Sequence, residues 1–172
     1  MRQPERIPSD PVTADRFRRA LGQFATGVTV VTGLDPNTGQ PEGMTVNAFT
    51  SLSLEPPLVL ICLDRQARLA SVFESAQHFA VNVLSVEQRH LSVAFSTTDG
   101  NRFRNVAWHA WARGVPILEG CVANLECVRT GRHDGGDHVI VVGQVERLVF
   151  DENREPLLFA RGNYHGLGGM AP

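Results

Sequence analysis

The chain has 172 residues, a length that suits one domain with a core of its own. Its 16 basic and 18 acidic side chains give a formal net charge of -2, which argues against a nucleic-acid partner recruited by bulk charge. No apolar run approaches the roughly 20 residues needed to cross a bilayer. The polar start from Met1 to Asp15 lacks a signal-peptide core, so a cytoplasmic chain without a membrane partner is expected.

Residues 1–13 read as a flexible N-terminal segment ahead of a domain over 14–166. A helix is predicted from Thr13 to Phe24, with Phe17, Leu21 and Phe24 spaced i, i+4, i+7 along one apolar face. Gly27 follows it, and the β-branched run Val28 to Thr32 favours a strand. Asp35-Pro36-Asn37-Thr38-Gly39 is dense in turn formers and predicts a hairpin into one strand from Gly43 to Ser53. Pro56-Pro57 breaks regular structure, and Leu58 to Leu63 reads as a fully buried strand. A helix from about Ala67 to Ala76 and a strand from Phe79 to Leu84 follow. Ser85 to Gln88 has capping-box spacing and opens a further helix through Leu91, Val93, Ala94 and Phe95.

Residues 96–114 show no clear pattern, and Trp108 and Trp111 within them read as core or interface packing. Two long strands, Cys121 to Arg129 and His138 to Phe150, are linked by the turn His133-Asp134-Gly135-Gly136-Asp137. Residues 167–172 read as a flexible tail. Short strands, tight turns and about three helices predict a mainly β fold, an antiparallel barrel with α additions. A doubly wound parallel sheet would need helices alternating regularly with strands, and the second half lacks that alternation.

The usual phosphate cradles and catalytic signatures (GxxxxGK[ST], GxSxG, HExxH, paired CxxC) do not occur. The GxGxxG-like spacing that begins at Gly166 has no strand-to-helix context. A nucleotide would therefore be held by scattered backbone and hydroxyl donors. Strand alternation places Thr45, Asn47, Ser51 and Ser53 on one face, where a flavin ring's N5 and carbonyl oxygens would find donors. An exposed hydroxyl-rich strand face is the alternative. Asp64-Arg65-Gln66-Ala67-Arg68 sets two arginines beside a predicted helix start, where dipole and free amides favour an anion. Surface arginines in a loop are the alternative there. His133 and His138 bracket two aspartates and two glycines, a tight turn with solvated acids rather than a metal site. Cys62, Cys121 and Cys127 are odd in number and sit among apolar neighbours, so all three read as buried, inert thiols.

Longer blocks carry a resemblance. Residues 17–32 (FRRALGQFATGVTVVT) and 43–59 (GMTVNAFTSLSLEPPLV), then Phe79-Ala80-Val81-Asn82-Val83-Leu84, Gly136-Asp137-His138 and Gly162-Asn163-Tyr164, resemble the short-chain flavin reductases of two-component monooxygenases. The likeness runs in order over about residues 14–166. It implies a split β-barrel, usually homodimeric with flavin near the subunit interface. It also implies an NAD(P)H:flavin oxidoreductase that reduces FMN or FAD with NADH or NADPH and supplies reduced flavin to a separate oxygenase.

By the same resemblance, Gly43, Met44, Thr45, Asn47 and Ala48 contact the isoalloxazine. The loop of Leu63, Asp64, Arg65, Gln66, Arg68 and Leu69 holds the phosphate and ribityl chain. Ala94 and Phe95 lie against the flavin, and His138 with Arg161, Gly162, Asn163 and Tyr164 borders the nicotinamide. The phosphate loop departs from many relatives, which carry a serine or threonine soon after the basic residue; here Ser71 is the nearest. That leaves FMN against FAD open. Two other readings stay beside the reductase: a flavin-binding barrel without turnover, and a flavoprotein that reduces a non-flavin substrate.

Overall fold

The computed structural model describes residues 11–97 and 102–168, so most of both segments expected to be flexible, 1–13 and 167–172, lies outside the described residues. Helix α1 (Ala14–Leu21) starts at Thr13, whose side chain accepts the Arg16 backbone N–H at 3.3 Å. Strands β1 (Thr26–Gly27), β2 (Thr29–Leu34), β3 (Pro41–Val46), β4 (Phe49–Leu54) and β5 (Pro57–Asp64) follow. Helix α2 (Ala70–Ser75) precedes β6 (His78–Val83), and a 3₁₀ turn (Val86–Gln88) leads into α3 (Arg89–Ser96). The chain continues through β7 (Trp108–Ala110), β8 (Pro116–Leu118), β9 (Ala123–Gly135), β10 (His138–Phe150), β11 (Leu158–Ala160) and β12 (Asn163–His165).

Seven strands form one antiparallel sheet in the order β3-β2-β6-β9-β10-β5-β4. Its first and last strands are joined by Asn47 and Ala48 alone, so the sheet must curl until its two edges nearly meet. No ladder joins β3 to β4, so the barrel is split at that seam. The interior is filled by alternate residues of the wall, among them Val31, Ile61, Leu63, Phe79, Val81, Val139 and Val141. A second cluster lies outside, where α3 covers β2 through Val30, Leu84, Leu91 and Phe95.

The single strand expected from Gly43 to Ser53 is in fact two, at opposite edges of the sheet. The shared face of Thr45, Asn47, Ser51 and Ser53 is lost with it. The α2 helix starts at Ala70, later than predicted, because Asp64 diverts the chain into a turn: its carboxylate accepts the Gln66 N–H at 2.8 Å and its carbonyl the Ala67 N–H at 2.9 Å. The unpatterned stretch before residue 114 contains β7, which forms a short hairpin with β8 just beyond it. His133 and Asp134 belong to β9, so the β9–β10 turn shrinks to Gly136 and Asp137, with Gly136 at φ 74° as the first central residue of a tight hairpin requires.

One buried polar side chain ties three strands of the wall to β8. Asn82, fully buried on β6, donates to the Val30 carbonyl at 2.9 Å and the Thr32 hydroxyl at 3.0 Å. Its oxygen accepts the Leu118 N–H at 2.9 Å and the Asn124 amide at 2.8 Å. All four hydrogen-bonding positions of the amide are used. Truncation strands several buried partners at once, so Asn82→Ala should lower unfolding free energy by roughly 2–4 kcal/mol in a denaturant titration.

Candidate active site

Against the seam lies a cavity of about 880 Å³. Phe17, Arg18 and Leu21 of α1 form one wall, and Phe159, Ala160 and Arg161 of the β11–β12 hairpin form another. Asn47, Ala48, Leu60 and Cys62 supply the barrel side, and Asp137 with His138 closes an end. Alternation along β5 explains the barrel side: Val59, Ile61 and Leu63 point into the core, so Leu60 and Cys62 point out into the cavity.

The apolar stripe of α1 packs on no core. Phe17 and Leu21, with Phe24 beyond the helix, which ends at Leu21 short of the expected bound, are 57%, 52% and 71% exposed and instead line this cavity. The helix is anchored at its end, where Arg161 donates its backbone N–H to the Gly22 carbonyl at 2.8 Å.

Of the residues tied to the isoalloxazine by resemblance, Asn47 and Ala48 line the cavity, and the Asn47 amide has no side-chain partner among the described residues. Thr45 turns the other way and donates its hydroxyl to the Ser92 carbonyl at 2.7 Å. Gly43 is pressed against Phe95, where an added Cβ would come within 2.6 Å of the ring. Phe95, Leu63 and Leu69 are core side chains, so any ligand contact they make must go through backbone. Met44 packs half-buried on the barrel core, and Ala94 is half-buried on α3. Ser53 sits on β4 near the β4–β5 turn, away from the cavity lining.

The two loop arginines diverge. Arg65 donates to Asp134 at 2.5 Å and to the Gly136 carbonyl at 3.3 Å, which fastens the loop to the β9–β10 turn. Arg68 pairs with Glu42 on β3 at 3.5 Å. Either must exchange a carboxylate for a phosphate in order to bind one. Asp64 and Gln66 are exposed and engaged with one another in the turn.

His138 reaches the cavity, and its Nδ1 lies 2.8 Å from the Asp137 carboxylate. That hydrogen bond holds the Asp137 carboxyl below its ordinary value of 3.8, so the acid is ionised at neutral pH and favours the Nδ1–H tautomer. Arg161 and Gly162 form the β11–β12 turn with φ of 52° and 78°. The Asn163 amide donates to the Arg161 carbonyl at 3.1 Å. Tyr164 points away from the cavity and shares a 2.9 Å hydrogen bond with Ser92 Oγ.

Ser92 is a fully buried junction that sequence reasoning missed, since a serine inside a helix gives no signal of what it holds. Arg102 was missed as well. It donates to the Gly43 carbonyl at 3.0 Å, and burial, helped by neighbouring Arg68, pushes its guanidinium below its ordinary pKa. The arginine spaced one residue after Phe17 was hidden on a helix read only for its apolar stripe.

Residues 21–168 match the model of the flavin reductase like domain, and this chain belongs to that family. It is 40% identical over 161 residues to the reductase subunit HsaB of a flavin-dependent monooxygenase from Rhodococcus jostii (strain RHA1), covering 94% of this chain and 82% of that protein. It is 45% identical over 148 residues to the FMN reductase (NADH) SmoA of Agrobacterium fabrum, covering 86% and 83%. The solved Streptomyces globisporus NADH:FAD oxidoreductase SgcE6, in complex with NAD and FAD fragments, superposes with a TM-score of 0.85 at 38% identity, over 95% of this chain and 96% of that one. The mainly antiparallel split barrel expected from the sequence is thus the family's fold.

The cysteines divide by position. Burial pushes the Cys121 thiol up to about 11 and the Cys127 thiol up to about 12, so neither ionises near neutrality. Cys62 differs from the buried, inert thiol expected of it: it is half-buried and faces the cavity. Burial raises its pKa too, so its reaction is slow. At pH 8 an aromatic disulfide reagent should label Cys62 slowly and leave the other two until the protein unfolds. A ligand that fills the cavity should slow that labelling.

Proposed function

We propose that this chain catalyses NADH-dependent reduction of FMN or FAD and releases the reduced flavin to a separate oxygenase component. The observation that carries the reading is the cavity, which at about 880 Å³ lies in the upper part of the range of roughly 300–1,000 Å³ typical of ligand sites. Its walls suit planar rings: apolar surface from Phe17, Leu60 and Phe159, with one unpartnered amide, Asn47, and one imidazole, His138. Relatives named as NADH-dependent flavin reductases support the choice of co-substrate. The reaction itself, hydride passing from nicotinamide C4 to flavin N5 at about 3–3.5 Å, belongs to the two bound molecules.

The chain's residues bind, orient and exclude water. Asn47 at the seam offers a donor and an acceptor to a ring edge. Ala48 beside it is small enough to let a ring lie against the barrel. Asp137 fixes the His138 tautomer, leaving Nε2 to accept a hydrogen bond from an amide such as a nicotinamide carboxamide. No general base is required, which matches a cavity without a coupled acid–base pair beyond that one. NADH oxidation measured with FMN, FAD and riboflavin in turn tests the reading. Tight flavin binding without turnover would support a carrier instead. His138→Ala should raise the KM for NADH and lower kcat/KM while leaving flavin affinity within about twofold. A larger loss in a flavin titration would move His138 to the flavin side.

The reading includes a symmetric homodimer working in the cytoplasm, where NADH is made. The exposed stripe of Val12, Phe17, Leu21 and Phe24 at the cavity's edge supports it, because apolar surface of this kind is costly to leave in water. A second copy covering that stripe would roof the cavity. Light scattering should report about twice 18.8 kDa. A monomer that keeps full turnover at high dilution would remove the shared-site idea.

A further inference from the structure

Two guanidinium groups border the cavity without a partner. Arg18 lies on α1 one residue from Phe17, and Arg161 lies on the β11–β12 turn. Neither side chain makes a hydrogen bond or ion pair among the described residues. The other charged side chains in the lining, Asp137 and His138, satisfy one another. A chain of net charge -2 therefore carries a cavity lined by two guanidinium groups and by one carboxylate that is hydrogen-bonded to His138. The loop arginines Arg65 and Arg68, by contrast, are outside the lining and already hold carboxylates.

The backbone around Arg161 adds a second observation. Its φ of 52° is in the left-handed region, which a residue with a Cβ adopts at a cost and which glycine or asparagine would fill more cheaply. Its N–H donates to the Gly22 carbonyl at 2.8 Å, directly after α1. The strained turn and the helix end are thus fastened together, which holds the arginine-bearing elements on one side of the cavity. Fork-shaped guanidinium groups are suited to phosphate oxygens, which they can grip through two N–H bonds each.

We propose that Arg18 and Arg161 form an anion clamp for the phosphate of a nucleotide bound in this cavity, in the first place the diphosphate of NADH. This rests on the reductase reading above. The flavin's own phosphate has the same chemistry, so the test separates the two. Arg18→Gln and Arg161→Gln are compared with the unaltered enzyme using three substrate pairs. These are NADH with FMN, NADH with riboflavin, and 1-benzyl-1,4-dihydronicotinamide, which has no phosphate, with FMN.

The expected result is a rise of about tenfold in the KM for NADH for each variant, with either flavin. The phosphate-free hydride donor should lose clearly less than NADH does, because it lacks the group that the clamp holds. The gap between variant and unaltered enzyme should narrow as salt is raised. A loss confined to FMN, with riboflavin unaffected, would assign the same clamp to the flavin phosphate. Unchanged KM values, or equal losses with and without phosphate on both partners, overturn the clamp. Equilibrium titration of NADH, FMN and riboflavin gives the same comparison without turnover. An unaltered enzyme that binds these ligands but does not oxidise NADH would defeat the reductase reading while leaving the clamp to be judged by the titrations.

Discussion

The constraint on which the rest depends is a connection of two residues. Asn47 and Ala48 carry the chain from β3 to β4, strands at opposite edges of a seven-stranded sheet. The three steps from Val46 to Phe49 reach no more than about 11 Å, so the edges must approach one another and the sheet must curl. Curling creates the interior that Phe79, Ile61 and Val141 fill. It also leaves the seam unlatched, because residues spent on turning from one edge to the other cannot pair along a ladder. The Asn47 side chain faces the cavity with no hydrogen-bond partner among the described residues, and its amide is open to a ligand ring.

Two buried polar side chains hold the wall from its outer face. Asn82, on the side of β6 opposite Phe79 and Val81, locks β2, β6 and β9 to β8 with every hydrogen-bonding position in use. Helix α3 performs the matching task through Ser92, whose carbonyl accepts from Thr45 on β3 while its hydroxyl meets Tyr164 on β12. Phe95, one turn along, packs where Gly43 leaves room for it. A helix that contributes no residue to the cavity lining thereby ties the strand entering the seam to the hairpin carrying Arg161. Thr45 and Tyr164, expected at a ligand, have their polar atoms committed to this support.

What the sequence made legible follows from what each signal measures. Alternation and β-branching located β2, β5, β6 and the pair β9–β10, because those strands bury at least one face. The break at Asn47-Ala48 was invisible: residues 43–53 are β-prone throughout, and no glycine or proline marks the seam. Phe17 and Leu21 correctly signalled a one-faced helix, which ends at Leu21 rather than running on to Phe24, but periodicity reveals that a face is apolar and not what covers it. Cys62 was misjudged because an apolar neighbourhood in sequence does not distinguish the inner from the outer side of a barrel wall. His138 and Arg161 came from the family resemblance. Arg18 came from neither source, since its role depends on a cavity made by four elements distant in sequence.

Stability and access are divided along the same line. The barrel side of the cavity belongs to long ladders and a closed polar network, so it should open only with global unfolding. The opposite side is made from α1, which buries no residue, and from three-residue strands that pair only with one another and with β1. The β1–β11 pairing of Thr26 with Phe159 and Gly27 with Leu158, Tyr164 on Ser92 and beneath Arg89, and the packing of Phe159 and Tyr164 on the outer cluster tie it to the remainder, while the Arg161–Gly22 bond joins its two parts. Elements with little buried apolar surface and exposed hydrogen bonds are those that open locally at small cost. A cavity with one rigid wall and one yielding wall suits a protein that must admit two large planar molecules and let one of them leave. The rigid wall holds Asn47 and His138 in place at the cavity, and the yielding wall is the side that can open.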